Sequence, residues 1–197
     1  MGTDVRTLGQ GATALVIAAI AFGAGLLGDA SHVAAGTTNY EWDGVPTIWR
    51  SGIWFPFVLS GSVVLAAWLS ERSGSPPARR RSRADAATGV AAVVALYAVT
   101  ALMRGEPATV SVVLVGALAV VIWSWWDPSP GALALACGAA VLGPLFEIGV
   151  VELGASSYAD DSDGLGGVAP WLPCLYFAAG AVASRLWSAV QRDGAEA

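Results

Sequence analysis

Charged residues are so unevenly spaced along this chain that six stretches of roughly 20 residues contain almost none. About 20 predominantly apolar residues are needed to cross the hydrocarbon core of a bilayer. Because a segment in lipid must satisfy its own backbone donors and acceptors, each stretch is predicted to be an α-helix. The pattern therefore predicts an all-α polytopic membrane protein with one six-helix domain over residues 1–197, its helices covering about 10–28, 51–70, 86–103, 107–126, 130–151 and 168–190.

Composition supports this class. The chain is 55% hydrophobic and only 13% charged, whereas a soluble domain carries about 25% charged residues. The sequence contains no lysine, which excludes a retinal-type photoprotein, since that class needs a lysine for its Schiff base. The remaining classes are membrane proteins that bind, transport or regulate without a covalently attached chromophore.

The arginines predict how the chain is oriented. Half of the basic residues lie between the second and third predicted helices, and acidic residues collect in the loops after the first and fifth. The positive-inside rule places the arginine-rich loop, and with six crossings both termini, in the cytoplasm. An alternative is that the loop binds anionic lipid headgroups. The arginines concerned are Arg72, Arg79, Arg80, Arg81 and Arg83.

Groups that would support catalysis or metal binding are sparse. His32 is the only histidine, and it is predicted to lie in a loop without a partner at metal-ligand spacing. No nucleophile elbow marks a hydrolase, and the acidic stretch at 159–167 lacks the ligand spacing of a calcium loop. We therefore expect no enzymatic activity, no metal and no cofactor other than a bound lipid.

Glu147 is the most informative charge inside a predicted helix. It follows Pro144 by about one turn, and an ionisable residue within a membrane span is a functional candidate by default. Two interpretations stay open, a carboxylate that reaches the outer interface and a polar contact inside a cavity. The second interpretation suggests an alternative function, in which the protein is a small proton-linked transporter that uses Glu147.

The phrase WSWWDPSPG at 123–131 predicts a turn between two antiparallel helices. Pro128 and Pro130 cannot lie inside a running helix, and Pro130 suits the first turn of a new one. The tryptophans are expected to anchor the helix end at the membrane interface. Asp127 is accordingly predicted to be a hairpin residue at the cytoplasmic surface.

Small residues at a spacing of four recur in the last two predicted helices. Ala139 and Gly143 form one such pair, and Gly180 and Ser184 form another. This spacing lets helix backbones approach closely. It predicts tight packing of these helices, and it also makes a homo-oligomer plausible, with a trimer as a guess.

The region from Trp123 to Trp187 resembles the Insig family of sterol-responsive membrane proteins. The shared features are the tryptophan-rich end of the fourth helix followed by Asp127, a glycine-rich fifth helix, and a Trp-Leu-Pro-Cys start of the sixth. Trp54 and Pro56 match the start of the second helix. The residues in the sixth-helix pattern are Trp171, Leu172, Pro173, Cys174, Phe177, Ala178 and Gly180.

This resemblance implies a six-helix protein that binds an amphipathic lipid among its helices. In animals the family binds oxysterols and retains a sterol-regulated escort protein in the endoplasmic reticulum, and Asp127 occupies the position tied to that partner. Pro128 and Pro130 replace the family's arginines, which puts escort binding in doubt. Val110 and Glu147 stand where the family carries glutamines. The chain thus resembles a distant, bacterial member.

These observations together predict a non-enzymatic protein that binds a sterol or a diacylglycerol-like lipid. Its location is the plasma membrane in a bacterium, or the endoplasmic reticulum in a eukaryote. Polar groups at the rim of the binding site would hold the lipid's hydroxyl, and aromatic side chains would form its walls. The predicted lipid-binding residues are Glu147, Phe146, Tyr176, Phe177, Ser60 and Thr100.

Overall fold

A computed structural model describes residues 9–41 and 46–191. Within these residues six long helices follow one another, joined by short strands and loops. The helices are α1 Gln10–Ala35, α2 Trp54–Arg72, α3 Arg83–Leu102, α4 Ala108–Trp126, α5 Pro130–Glu152 and α6 Leu172–Gln191. The strands are β1 Thr38–Tyr40, β2 Thr47–Ile48, β3 Ser51–Gly52 and β4 Ser156–Tyr158.

The sixth helix forms the centre of the bundle. It packs against each of the other five helices, most extensively against α5. Every residue from Gly180 to Trp187 is buried, including Arg185. The other helices each turn a broad apolar face outward, with exposed residues such as Leu15, Val113 and Leu142. A bundle that is apolar on the outside as well as inside is the arrangement expected in lipid.

Five of the described helices, α1 to α5, are long and apolar enough to cross a membrane. Helix α6 is long enough but falls short in hydropathy, since it carries Tyr176, Ser184, Arg185 and Ser188. These polar groups lie on a helix that protein surrounds, so they do not meet lipid. Hydropathy alone therefore does not identify α6 as a helix of the bundle, because the polar residues that lower its hydropathy contact protein and not lipid.

The first helix is longer than predicted. It continues from residue 28 to Ala35, so that Asp29 and His32 are buried inside it and His32 is not a loop residue. The prediction ended the helix at its first charge, because an unpaired charge is costly in lipid. Here both side chains face protein partners, which removes that cost.

Two small antiparallel sheets cover one end of the bundle. Strand β1 pairs with β4, with Thr38 opposite Tyr158. Strands β2 and β3 form a hairpin whose turn residues, Trp49 and Arg50, both have positive φ. The β1–β4 pair ties the chain after α1 to the chain after α5, so these two connections form a joint cap at this end of the bundle. No strand was predicted, because each is only two or three residues long.

Helices α5 and α6 pack at backbone contact, as the small-residue spacing predicted. A methyl group added to Gly180 would stand 2.7 Å from Cβ of Ala139 and 3.0 Å from Cα of Ala136. Further along the seam, a methyl group on Gly143 would overlap the ring of Tyr176. The close packing expected from Ala139, Gly143 and Gly180 is confirmed.

Candidate functional site

A cavity lies between α1, α2, α3 and α6. Its volume is about 80 Å³, so the space is a narrow slot and not an open chamber. This volume is below the roughly 300–1,000 Å³ typical of small-molecule sites.

The walls of the cavity are apolar. Small residues on α1, Ala24 and Gly25, face larger ones on the neighbouring helices, and the rings of Tyr97 and Tyr176 close one part of the wall. A side chain on Gly25 would meet Leu59, and one on Gly28 would meet the ring of Tyr97. Glycines on α1 therefore let α2 and α3 approach closely enough to enclose the slot.

Glu147 lies beside this cavity and is held by two tyrosines. Its side chain is 6% exposed. The hydroxyl of Tyr176 on α6 donates a hydrogen bond to Oε1 at 2.8 Å, and that of Tyr158 on β4 donates to Oε2 at 3.4 Å. Of the two interpretations left open by the sequence, the structure favours the internal polar contact, because the carboxylate is enclosed instead of reaching the interface.

A second buried acid, Asp29, belongs to the same polar region. Its carboxylate accepts hydrogen bonds from the hydroxyl of Tyr40 at 2.6 Å and from Ser51. The β1–β4 pair links the two acids, since Tyr40 of β1 bonds to Asp29 and Tyr158 of β4 bonds to Glu147. Each acid thus accepts a hydrogen bond from a side chain of the strands that cover this end of the bundle.

His32 completes this polar region, one turn after Asp29. Its Nε2 lies 2.8 Å from Oγ1 of Thr100 and 3.2 Å from the carbonyl oxygen of Tyr97. The rings of Tyr97 and Trp171 pack against the imidazole, with centroids at 4.5 and 5.1 Å. Among the described residues no group of three His, Cys, Asp or Glu side chains is placed to hold a metal.

Of the six residues predicted to bind lipid, only Tyr176 lines the cavity. Phe146 is 42% exposed. Phe177 packs against Trp123, and Ser60 bonds to the carbonyl oxygen of Phe57 on its own helix. Phe146 and Phe177 do not line this cavity, because each is next in sequence to Glu147 or Tyr176 and adjacent positions on a helix face about 100° apart. Their role as walls of a lipid site stays a prediction.

Thr100 and Glu147 do not line the cavity, and they bond to His32 and to Tyr176. The residues that sequence reasoning missed are Asp29, His32, Tyr97 and Tyr40. One signal was present: Asp29, His32 and the small residues of α1 recur at helical spacing, so a helix extended past residue 28 would have placed the two polar groups on its buried face.

The prediction of Asp127 as a surface residue is wrong. Its side chain is fully buried, and Arg185 of α6 forms an ion pair with it. The carboxylate also accepts hydrogen bonds from the backbone N–H of Ala78 at 2.9 Å and the hydroxyl of Ser129 at 2.9 Å. Burial alone would raise the pKa of Asp127, but the bonds from Arg185, Ala78 and Ser129 outweigh it and lower the pKa below its ordinary value.

Arg185 extends this cluster to the connection between α2 and α3. Its guanidinium donates to the carbonyl oxygens of Ser75 at 3.1 Å and Pro76 at 3.3 Å. Arg81 donates to the last carbonyl oxygens of α4, at Trp125 and, at 2.9 Å, at Trp126. Trp126 is itself in the core and does not anchor at the interface. The two arginines thus fasten the α2–α3 connection across the end of the bundle.

Replacing Tyr176 with phenylalanine tests the coupling between the cavity wall and Glu147. Phenylalanine keeps the ring in place but leaves the buried Oε1 of Glu147 without a donor, so we expect a loss of about 1–2 kcal/mol in the free energy of unfolding. Unfolding in mixed micelles of rising denaturing-detergent fraction measures it. Tyr158→Phe is the matched control, with a smaller loss expected from its longer bond. Equal losses would contradict this assignment.

Comparison with known proteins gives consistent results. No protein-family model matches the chain. An INSIG protein homolog of Mycolicibacterium vanbaalenii is 45% identical over 165 residues, covering 83% of this chain and 79% of that protein.

Two crystal structures resemble the fold, a mycobacterial Insig homolog, MvINS, and a cross-linked MvINS trimer. Each has a TM-score of 0.86, is 38% identical, and matches over 98% of this chain and 100% of the other. Sequence and fold agree over nearly the whole length, so this integral membrane protein belongs to the Insig family.

Proposed function

We propose that the protein is a non-enzymatic lipid-binding regulator that holds an amphipathic lipid, a sterol or a diacylglycerol-like molecule, in the cavity between α1, α2, α3 and α6. The observation that carries the proposal is the narrow, apolar cavity itself, which lies among the helices of a membrane protein. Burial of apolar surface is the largest favourable term for such a ligand, at about 25 cal/mol per Å².

The lipid's polar end would face the two tyrosines of the cavity wall. Tyr176 belongs both to the wall and, through its bond to Glu147, to the polar region, and Tyr97 lines the wall and packs against His32. A hydroxyl placed there can donate to a carboxylate or accept from a tyrosine, whereas a phosphate would meet two buried acids. This polarity supports a neutral headgroup, as in a sterol or a diacylglycerol.

The proposed topology is six crossings, with both termini in the cytoplasm and the outer cap on the other side. We count α6 as one of the six crossings, despite its Arg185, because this helix lies at the centre of the bundle. The arginine-rich connection lies at the opposite end of the bundle from the β1–β4 cap, in keeping with the positive-inside rule. The plasma membrane of a bacterium is the proposed location, supported by the mycobacterial relative.

A homotrimer is the proposed assembly. A cross-linked trimer of the similar protein MvINS supports it. The outward apolar faces of α4 and α5, with exposed residues such as Val113, Val121 and Leu142, offer surface for such contacts. Contact of Asp127 with an escort protein is not proposed, because its carboxylate is fully buried.

Filling the cavity tests lipid binding directly. Ala24→Phe places a ring in the slot, and we expect lipid recovered from the purified protein to fall at least about tenfold. Mass spectrometry of lipid extracted after mild detergent purification measures it. Ala19→Phe, on the exposed side of the same helix, is the control and should retain wild-type lipid. The proposal fails if both variants carry the same amount, or if the wild-type protein carries none.

A further inference from the structure

Two tyrosines of the cavity wall also belong to networks of contacts that end at the β1–β4 cap. They are Tyr97 of α3 and Tyr176 of α6, and the ring of each lines the slot. Behind the wall, Tyr176 bonds to Glu147 and Tyr97 packs against His32. Contacts between residues therefore run continuously from the cavity to the cap.

The first network runs through Glu147. The hydroxyl of Tyr176 donates a hydrogen bond to Oε1 of this carboxylate at 2.8 Å, and the hydroxyl of Tyr158 donates to Oε2 at 3.4 Å. Tyr158 ends β4, so the carboxylate bridges the cavity wall and a strand of the cap. On the side of α5 the ring of Tyr176 has no spare room, because a methyl group added to Gly143 would overlap it. The side that faces the slot is therefore the side on which a lipid can restrict the ring.

The second network runs through His32, in the last turn of α1. Its imidazole packs against the ring of Tyr97, with centroids 4.5 Å apart, and its backbone carbonyl accepts a hydrogen bond from the N–H of Thr37 at 2.9 Å. The carbonyl oxygen of Thr37, just before β1, accepts in turn from the N–H of Ala159, just after β4, at 3.0 Å. This network therefore reaches the same end of the strand pair as Tyr158.

The cap has little stability of its own. Its two strands have three residues each, and an isolated pair of strands is marginally stable at best in water. The hydroxyl groups of Thr37 and Thr38 are buried without a hydrogen-bond partner in the described part of the chain, which disfavours the closed cap. Closure therefore depends on side-chain bonds to the bundle, such as those of Tyr158 and Tyr40.

We propose that the β1–β4 cap responds to lipid in the cavity: it stays closed when a lipid holds the rings of Tyr97 and Tyr176, and it opens more often when these rings can move. Opening means that the two strands separate and that Tyr158 leaves Glu147. A lipid favours the closed cap through the contacts that it makes with the two rings in that state, as coupling between two sites requires. This inference rests on the proposed lipid binding and adds a response to it at the surface of the bundle.

Hydrogen–deuterium exchange of the full chain in detergent micelles, with and without added dioctanoylglycerol or cholesterol, tests the coupling. Native mass spectrometry of the same samples measures how much of each lipid is bound. Where a lipid binds, backbone amides at 37–41 and 155–159 are expected to exchange at least about tenfold more slowly. Amides in the middle of α4, which contributes no residue to the cavity wall, are the reference and should change less than about twofold.

Two tyrosine variants separate this route from a general weakening of the cap. Tyr158→Phe removes the bond between β4 and Glu147 without changing the cavity wall. It should bind the same lipids as the wild type but retain less than about threefold of the slowing. Tyr40→Phe is the matched control, because Tyr40 joins β1 to Asp29, whose other bond in the described ranges is to Ser51. It should exchange faster with and without lipid and yet keep the slowing of about tenfold.

Three results would overturn the inference, each for a different reason. Binding of neither lipid contradicts the proposed function, and the inference fails with it. Binding of a lipid without slower exchange at the cap overturns the coupling alone and leaves the cavity as a lipid site. Equal slowing in Tyr158→Phe and Tyr40→Phe shows that the lipid stabilises the bundle as a whole, which contradicts the route through Glu147.

Discussion

Replacing Asp127 with alanine is expected to lower the free energy of unfolding by about 3–5 kcal/mol, the cost of leaving one partner of a buried ion pair without the other. Arg185 is 5% exposed and would keep its charge inside the bundle. The change also removes the acceptor for the N–H of Ala78 and the hydroxyl of Ser129. Unfolding in mixed micelles, with helicity followed by circular dichroism, measures the loss.

The controls separate the ion pair from a general effect of charge removal. Glu71→Ala, an exposed acid at the same end of the bundle, should change stability by less than about 0.5 kcal/mol. Asp127→Ala combined with Arg185→Leu should be more stable than Asp127→Ala alone, because no uncompensated charge is then buried. A double variant as unstable as the sum of its single changes would contradict the pairing.

The pH dependence of Asp127→Asn has a definite sign. A carboxylate whose pKa is lower in the folded state contributes stability above its unfolded pKa, near 4, and loses it as the pH falls through the folded pKa. The gap in stability between wild type and Asp127→Asn should therefore be constant from pH 7 to about 5 and shrink below about pH 4. A gap that widens on acidification would show that the carboxyl is protonated in the folded protein.

Replacing Gly180 with valine is expected to cost about 3 kcal/mol, at the upper end of overpacking penalties. Even a methyl group there would stand 2.7 Å from Cβ of Ala139 and 3.0 Å from the carbonyl oxygen of Leu135. The carbonyl oxygen of Leu135, like Cα of Ala136 at 3.0 Å, belongs to the backbone of α5, which cannot rotate away. The helices must separate along their seam, and the measurement is again unfolding in mixed micelles.

Gly138 on α5 provides the matched control. A side chain added at this position meets nothing within 4 Å, so Gly138→Val should stay within about 0.5 kcal/mol of wild type. If both glycine variants lost the same stability, the effect would lie in helix propensity and the packing argument would be contradicted. Gly180→Ala should fall between the two, since it adds the clashing atom without the branch.

Much of the fold was predictable because lipid imposes simple rules. Gaps between charges located the helices to within a few residues, except at the end of α1. The small-residue spacing at Ala139 and Gly180 correctly predicted a close helix seam. Membership of the Insig family followed from the stretch between Trp123 and Trp187, where motif and spacing coincide.

The polar regions were harder to predict, for one physical reason. Asp29 and Asp127 were each judged as single charges against lipid, where a charge marks the end of a helix or a surface, and His32 was placed in a loop as a result. In the folded chain each is paired by groups far away in sequence, as Asp127 is with Arg185, 58 residues later. These pairings form only in the tertiary structure, so neither the hydropathy nor the periodicity of the sequence predicts them.

The central position of α6 has a consequence for biogenesis. Synthesis runs from the N-terminus, so α1 to α5 leave the ribosome before the helix on which all of them pack. Until α6 arrives, Asp127 has no Arg185 to pair with, and the walls of the future cavity have no closing face. The protein therefore assembles last at its centre, and a chain truncated before residue 172 would be an open, protease-sensitive set of five helices.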